Sequence, residues 1–573
     1  MKLFCGIKLT HDGGVALIED GKLIFSIETE KLANNHRYSG IGDISLVEKL
    51  LQQYGYDPSQ VDNFSVDGWE DSIIPCLQDG NKIYVKVAGY REIRKSQDVL
   101  TDYRNQALPI GKTTYDYSSY LHVTGHIMSA YCSSPFAREE QDSYVLVWDG
   151  GMLPRLYYVD ARSLKVTNLG KVHFLIGNFY SGFASYFEPF GRENTGRPGE
   201  LNELSIAGKV MAYIAKGEPR EEIIDVFENI LQEDLAISLD FVHVFAKKFI
   251  RKTMHTSIRH EDILASMHVF LERQLIRGLK DKTAKYPFPS RNLCFSGGCA
   301  LNIKWNSAIR AAGLFDQMWV PPFPNDSGSA IGAACASMRN YSGRLSLDWQ
   351  VYQGPALIRN EPASEWLVYR FSISQLARFL YTSNEPVVFL HDRAELGPRA
   401  LGNRSILATA IDENTKTRLN DVKQRESYRP VAPICLEEEA EMIFDPGTPD
   451  PLMLYDHQIR VEWQGRIPAV RHLDGSARLQ TVNASNNPLI YQLLREYFAL
   501  SGIPLLCNTS ANYKGKGFFP DVYSATDWGR LNFVWCDHRL YVKKSYELFV
   551  PADAALDGTA LLAEGEVQDQ LNF

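Results

Sequence analysis

The start of the chain alternates short apolar runs with turns. LFCGI, VALI and LIFSIE are separated by THDGG and EDGK. The Asp20-Gly21-Lys22 step between two apolar runs is a hairpin signal, so this stretch reads as a β-meander. The pattern recurs after residue 142. SYVLVWDGG runs from a strand into a glycine turn, RLYYVD is a second strand, and KVTNLG follows another turn. Each half of roughly the first 350 residues therefore opens with a meander whose first turn is rich in Asp and Gly. Such turns expose backbone N–H groups that can hold phosphates, here from two sides.

Duplicated halves of this kind fit an actin-like α/β fold with a nucleotide in the cleft between them. The spacing predicts a helix from residue 45, helices through REEIIDVFENILQ and HEDILASMHVFLERQLIRGLK, and strand–turn–helix units at RNLCFSGGCALNIKWNSAIR and FDQMWVPPFPNDSGSAIGAACASM. A linker is expected over 341–362, and beyond it VVFLHDRAELGPRALGNRSILATAI opens a second, basic-lined unit. The 573 residues exceed one ordinary core. The expected division is residues 1–355 and 356–573. A formal net charge of −9 gives no electrostatic reason to expect nucleic-acid binding. No signal-like N-terminus and no run of about 18 apolar residues is present, so a soluble, cytoplasmic protein is expected. The nine cysteines form no CxxC and read as reduced core thiols.

Several residues could carry chemistry. His122 and His126 share one helical face, about 6 Å apart at Cβ. They suit two metal ligands or two phosphate contacts, or are simply polar surface positions. Asp149 ends the apolar run VLVWD, a place for a cation ligand or a turn-forming Asp. Asp326, in PNDSGSAIGAA, could ligate a metal, cap a helix, or both. Gly297 and Gly298 let a base or ribose approach the backbone, or form an ordinary tight turn ahead of Asn302. Lys209 could face phosphates or solvent. Arg393, Arg399, Arg404, Lys423, Arg425 and Arg429 fall close together among Gly and Pro. Several guanidinium forks around one pocket recognise a small anion such as phosphate. His472, Asp474 and Arg478 follow, then Asn508, Thr509, Ser510 and Asn512, whose short polar side chains could bind an anion or adenylate, or cap a turn.

With these residues in view the chain resembles the O-carbamoyltransferases of antibiotic and Nod-factor biosynthesis over nearly its whole length. The resemblance rests on HDGGVALIEDGKL, the His122/His126 pair, VLVWDGG, SGGCALNIKWN and VPPFPNDSGSAIGAA, then on ELGPRALGNRSIL, LNDVKQRESYRPVAP, HLDGSARLQTV and PLLCNTSANYKG. It implies an actin-like (ASKHA) duplicated domain followed by a YrdC-like α/β domain. It also implies that carbamoyl phosphate and ATP yield carbamoyl adenylate, and that the carbamoyl group passes to a hydroxyl of a small-molecule acceptor. His122, His126, Asp149 and Asp326 match the family's metal positions, and mixed His and carboxylate ligands admit Fe2+, Mn2+, Mg2+ or Zn2+. Asp12, Gly150, Gly151, Lys209, Gly297, Gly298 and Asn302 are the implied nucleotide contacts. Arg399, Arg404, Lys423, Arg429, Asn508 and Ser510 are the implied carbamoyl phosphate contacts. His11, His36, Arg399 and Lys423 are the implied catalytic residues, His11 as base or phosphate contact.

The chain departs from the family pattern at Lys31 and Asn35, which stand for Arg and Lys, at Ser327, and at Ala511, which stands for an aromatic residue and could loosen a pocket wall. Arg37 could compensate for Asn35. The acceptor is expected against the helical insert around 175–290, where Phe179, Tyr180, Tyr186, Phe187 and Phe190 suit a ring or a core equally well. A tRNA-directed threonylcarbamoyl enzyme and an inactive nucleotide-binding scaffold are the rival readings. A homodimer is compatible with the sequence.

Overall fold

The computed structural model describes residues 2–89, 97–191, 202–233, 240–550 and 554–556. Three strands open the chain: β1 (Leu3–Lys8), β2 (Gly14–Glu19) and β3 (Lys22–Glu28). They form the expected antiparallel meander, and β1 then pairs in parallel with β4 (Asn63–Asp67). A two-stranded hairpin, β5 (Ile73–Gln78) and β6 (Asn81–Lys86), follows. Next come β7 (Tyr103–Ile110) and β8 (Thr113–Tyr120), of which β8 lies parallel to β4 and β7 closes the edge. The sheet order is β3-β2-β1-β4-β8-β7.

The second half repeats this plan. β9 (Ser143–Val147), β10 (Arg155–Asp160) and β11 (Lys165–Lys171) form the meander. β12 (Asn292–Ser296) and β13 (Gln317–Trp319) add in parallel to give the order β11-β10-β9-β12-β13. The shared order of three antiparallel strands followed by two parallel ones is the duplicated actin-like fold. Every residue of β1 is buried, as a central strand covered on both faces requires.

The helices that follow the last parallel strand of each half, His122–Cys132 and Ser329–Ser342, pack against each other. Their contact needs glycine. A Cβ on Gly332 would lie 1.9 Å from the carbonyl oxygen of Gly125. The second half carries a helical insert, with helices Glu221–Gln232, Phe241–Thr253 and His260–Lys285. Phe179, Tyr180, Phe187 and Phe190 are buried in the core of this half, so they pack the insert rather than line a pocket. Tyr186 is half-buried and hydrogen-bonded to His243.

The second unit is a mixed nine-stranded sheet. In spatial order its strands are Gln480–Val482, Ala432–Leu436, Leu505–Ser510, Arg404–Ala408, Val387–Leu390, Phe533–Cys536, Arg539–Lys543, Trp366–Arg370 and Ala555–Leu556. The segment expected as a linker is strapped to both units: Asp348 bridges Lys22, Ala356 bridges Arg393, and Ile358 bridges Asp521. Between the units, Lys304 pairs with Asp456 and Asp474, each at 2.8 Å. The buried Lys31 ammonium joins Glu28 to the carbonyls of Glu395 and Gly397. Ala511, expected in a pocket wall, is wholly buried in the core of the second unit.

Candidate active site

The first cluster gathers where the strands of both halves end. β1 ends at Lys8 and β4 at Asp67, whereas Asp149 and Gly297 lie just past the ends of β9 and β12. Carboxyl ends of parallel strands are where open α/β sheets bind ligands. The helix His122–Cys132 starts with the two histidines one turn apart, both buried. Asp326 opens the short turn that leads into the helix Ser329–Ser342. It is the first residue inside that turn, whereas Asn325 and Gly328 occupy the N-cap positions of the turn and of the helix, so the N-cap alternative does not describe it.

These residues converge. One ligand atom from each of His122, His126, Asp149 and Asp326 lies within 4.8 Å of the others. Asp326 Oδ1 is 3.2 Å from His122 Nε2 and 3.4 Å from His126 Nε2. The tautomers follow from the surroundings. His122 Nδ1 lies 2.7 Å from Asp67 Oδ2, so Nδ1–H donates there and Nε2 keeps a lone pair. Ser296 Oγ donates to the Pro324 carbonyl and can accept from His126 Nδ1–H at 3.5 Å, which likewise frees His126 Nε2. That buried Nε2 has no hydrogen-bond partner. Buried polar atoms are rarely left so unless something else binds them. A divalent cation fits this donor set.

The electrostatics agree. Burial disfavours charge on Asp326, yet His122 and Lys8 hold its carboxyl well below the usual carboxylate range. Burial also opposes charge on His122, but Asp326 and Asp67 outweigh it and push its pKa up to about 10. Asp326 and Asp67 stay ionised, and without a cation a proton on His122 Nε2 supplies the charge that a bound cation would otherwise supply.

The glycine turns flank this cluster. Gly297 has φ +94°, and a Cβ there would lie 2.3 Å from the Trp148 carbonyl oxygen, so no other residue fits. Gly298 N–H donates to Asp149 Oδ1 at 2.6 Å, which leaves the other carboxylate oxygen to the cluster. Gly150 is half-buried and Gly151 exposed in the turn after Asp149. Asp12, at φ +52°, accepts from His11 Nδ1 at 3.1 Å, and His11 Nε2 lies 3.6 Å from Asp326 Oδ2. Asn302 works locally instead. Its Oδ1 accepts from the backbone N–H groups of Lys304 and Trp305 and caps the helix Ile303–Ala311.

The second cluster is a group of guanidiniums. Arg399 is strongly disfavoured as a cation by burial and by Arg478, Arg37 and Arg429 around it. Its Nε and that of Arg478 are buried without a hydrogen-bond partner. Burial, then Arg429 and Arg478, pulls Arg425 down to about 9, and burial with Arg429 pulls Arg478 to about 10. Arginine stays protonated in proteins, so these directions measure the cost of assembling like charges, which a bound anion would relieve.

Lys423 lies at the edge of this group, its ammonium held by the Ser510 carbonyl at 2.7 Å and the Asn512 carbonyl at 2.9 Å. Ser510 Oγ donates to the Asn512 side chain. Asn508 Nδ2 is bound by Ala400 and Gln480, while its Oδ1 is buried without a partner.

Three residues expected at the sites are placed elsewhere. Arg404 is not brought to the guanidinium group: its head donates to the carbonyls of His391, Asp392 and Asn403, which fixes the loop before its strand. Lys209 pairs with Glu426 at 2.9 Å, next to Arg429, and so belongs to the arginine side. His36 is exposed, its backbone bridged to Lys516. Its neighbour Arg37 stands between the clusters, near Asp12 and Glu30 on one side and Arg399, Arg429 and Lys423 on the other. Lys8, Asp67 and Trp69 were not singled out from the sequence. Nothing local marks them, because their meeting depends on strand register.

Comparison with known proteins agrees with this architecture. The family described as "Carbamoyltransferase N-terminus" matches residues 3–335, and "Carbamoyltransferase C-terminus" matches 378–534. "Nodulation protein U" of Rhizobium tropici is 47% identical over 572 residues, covering 96% of this chain and 98% of its own length. The "3'-hydroxymethylcephem-O-carbamoyltransferase" of Amycolatopsis lactamdurans is 33% identical, covering 90% of this chain and 94% of its own length. The Streptomyces clavuligerus enzyme of the same name is 32% identical over the same share of this chain. The chain belongs to the carbamoyltransferase family.

Proposed function

We propose that this chain is an ATP-dependent O-carbamoyltransferase for a small-molecule hydroxyl acceptor, with its reaction split between the two clusters. The observation that carries the reading is the crowding of Arg399, Arg425, Arg429 and Arg478, four guanidiniums that outnumber the nearby carboxylates of Glu426 and Asp450, together with the convergence of His122, His126, Asp149 and Asp326. The guanidiniums bind the phosphate of carbamoyl phosphate, and loss of phosphate to water leaves carbamate. Carbamate is a poor electrophile, because its leaving group would be oxide or hydroxide. Its oxygen attacks the α-phosphorus of ATP and releases pyrophosphate, so that AMP becomes the leaving group of carbamoyl adenylate. The acceptor oxygen then forms the new C–O bond as AMP departs.

His11 takes the hydroxyl proton in this reading. Its Nδ1–H is held by Asp12 at 3.1 Å, which turns Nε2 toward the cluster as the base. The glycine turns at Gly150, Gly151, Gly297 and Gly298 admit the nucleotide. His122, His126, Asp149 and Asp326 would hold a divalent ion, which neutralises polyphosphate charge and polarises the carbonyl under attack. Arg37, between the two clusters, offers a cation along the path of the labile anion. The division near residue 355 separates the two half-reactions.

Among the described residues no helix is long and apolar enough to cross a membrane. The test is product analysis with ATP, Mg2+ or Mn2+ and carbamoyl phosphate. AMP and pyrophosphate should appear only when carbamoyl phosphate is present. ADP as the only nucleotide product overturns the scheme.

A further inference from the structure

We infer that Lys8 and Asp67 are a paired positioning device, with Lys8 holding Asp326 to one-oxygen ligation and keeping the centre's charge low enough to admit nucleotide phosphates. This rests on the metal and nucleotide reading above and assigns work to residues outside the ligand set. The pair arises from sheet register. β1 and β4 are parallel with Ile7 opposite Val66, so the next residues, Lys8 and Asp67, emerge side by side at the carboxyl edge. Their side chains are 1% and 0% exposed. A buried ion pair returns little net stability after desolvation, and an apolar pair would serve the core as well. What the pair touches therefore matters more than its contribution to the fold.

The contacts divide the labour. Lys8 Nζ lies 2.9 Å from Asp67 Oδ2 and 3.0 Å from Asp326 Oδ2, with the Trp69 ring face 4.4 Å away. Asp326 Oδ2 is thus turned to the ammonium, and Oδ1 is left to face His122 and His126. Asp67 Oδ2 receives His122 Nδ1–H and fixes that ring. The helix makes room for this carboxylate: a Cβ on Gly125 would lie 2.9 Å from Asp67 Oδ1.

Charge completes the argument. With neutral histidines, Asp67, Asp149 and Asp326 against the Lys8 ammonium leave the centre at minus two, which one divalent ion neutralises. Without Lys8 the loaded centre would keep a net negative charge toward an incoming polyphosphate. One unit charge within several ångströms of the phosphates is worth roughly 10- to 100-fold in affinity at a protein-like dielectric.

The experiment uses the full chain and two calorimetric titrations: Mn2+ alone, then a non-hydrolysable ATP analogue at saturating Mn2+. Lys8→Met should bind Mn2+ at least as tightly as the native chain while losing roughly 10- to 100-fold in analogue affinity. Lys8→Arg should recover most of that loss. Asp67→Asn should weaken Mn2+ by roughly 10- to 100-fold, as loss of an outer-shell partner does. Should Lys8→Met lack a cooperative melt, Lys8→Gln carries the same expectation, because it keeps a donor to Asp326 without the charge. Equal loss of Mn2+ and analogue in the Lys8 variants, or unchanged analogue affinity, overturns the inference while the metal reading stands. A native chain that takes up no Mn2+ overturns the metal reading and this inference with it.

Discussion

The two clusters are opposite in sign and in workmanship. The His and Asp cluster is built on strand ends and one helix, and its side chains are oriented by neighbours: Asp67 for His122, Ser296 for His126, Gly298 for Asp149 and Lys8 for Asp326. The guanidinium cluster sits largely on loops, and the Nε atoms of Arg399 and Arg478 have no partner. The first is pre-organised and, with Lys8 against three carboxylates, left at a charge that one divalent ion balances. The second stores repulsion that a ligand must relieve. Loss of function should therefore look different at each.

The largest effect is expected at the pre-organised cluster. His126→Ala removes one of four converging donors. Because losing a mere outer-shell partner costs roughly 10- to 100-fold, turnover should fall by at least about 100-fold. Chelation of the native enzyme should do the same, with recovery on adding back Mn2+ or Mg2+. Turnover that survives both treatments removes the metal from the scheme.

Arg399→Ala breaks the comparison in the other direction. Removing a charged hydrogen-bond donor costs about 1.5–3 kcal/mol of anion binding, so the carbamoyl phosphate KM should rise by roughly 10- to 100-fold with nucleotide affinity retained. The same change relieves like-charge crowding with Arg478, Arg37 and Arg429. The ligand-free variant should then melt at the native temperature or above it, as functional sites often trade stability for activity. Saturating phosphate at ~100 times its native Kd should stabilise the native chain by about 2.7 kcal/mol and the variant by only about 0.4–1.4 kcal/mol. A variant that melts lower and still gains the full native response to phosphate would show that Arg399 is structural.

The link between the units gives a smaller, pH-dependent effect. Lys304 sits between Asp456 and Asp474, with the three side chains 13–29% exposed. Breaking a buried pair costs about 3–5 kcal/mol. With partial solvent screening, Lys304→Met should cost nearer about 2 kcal/mol. Burial works against the Asp474 charge, but His472 and Lys304 hold the group far below the usual carboxylate range. Its stabilisation is therefore present above the ordinary Asp value of about 3.9 and is lost as pH falls through the folded value. Lys304 is raised despite burial, by Asp456 and Asp474, so its share persists below about 10.4 and is lost only as pH rises through the folded value. Urea titrations should show a constant gap between native chain and variant from about pH 5 to 9, closing toward strong acid and again toward strong alkali.

What the sequence revealed follows the same contrast. The meanders, the duplicated order, the His pair, Asp149 and Asp326 were legible because each depends on local period or on a turn. Lys8 and Asp67 were not, since they lie 59 residues apart and meet only through parallel register between β1 and β4. Arg399 and Arg429 could be grouped by proximity in sequence, but Arg404 was grouped with them wrongly. It begins a buried strand, and its head turns to carbonyls of the preceding loop. Composition shows that guanidiniums are near one another, not which way they point. The aromatic run from Phe179 was ambiguous for the same reason, and packing settled it as core.

Asn302 makes the smallest and sharpest test of that limit. Its motif placed it among nucleotide contacts, whereas its side chain accepts from two N–H groups at the start of a helix. A cap of this kind is worth about 1 kcal/mol, and Asp caps as well as Asn. Asn302→Ala should therefore lose about 1 kcal/mol of stability. Asn302→Asp should lose less than about 0.5 kcal/mol, because it keeps the acceptor oxygen. The two variants separate only if capping is the residue's main work. An amide that also donates to the nucleotide would be missed in both, and Asn302→Asp would then raise the ATP KM while melting normally. A raised KM with native stability would restore Asn302 to the nucleotide site, and lowered stability with native KM in the Ala variant alone would confine it to the helix.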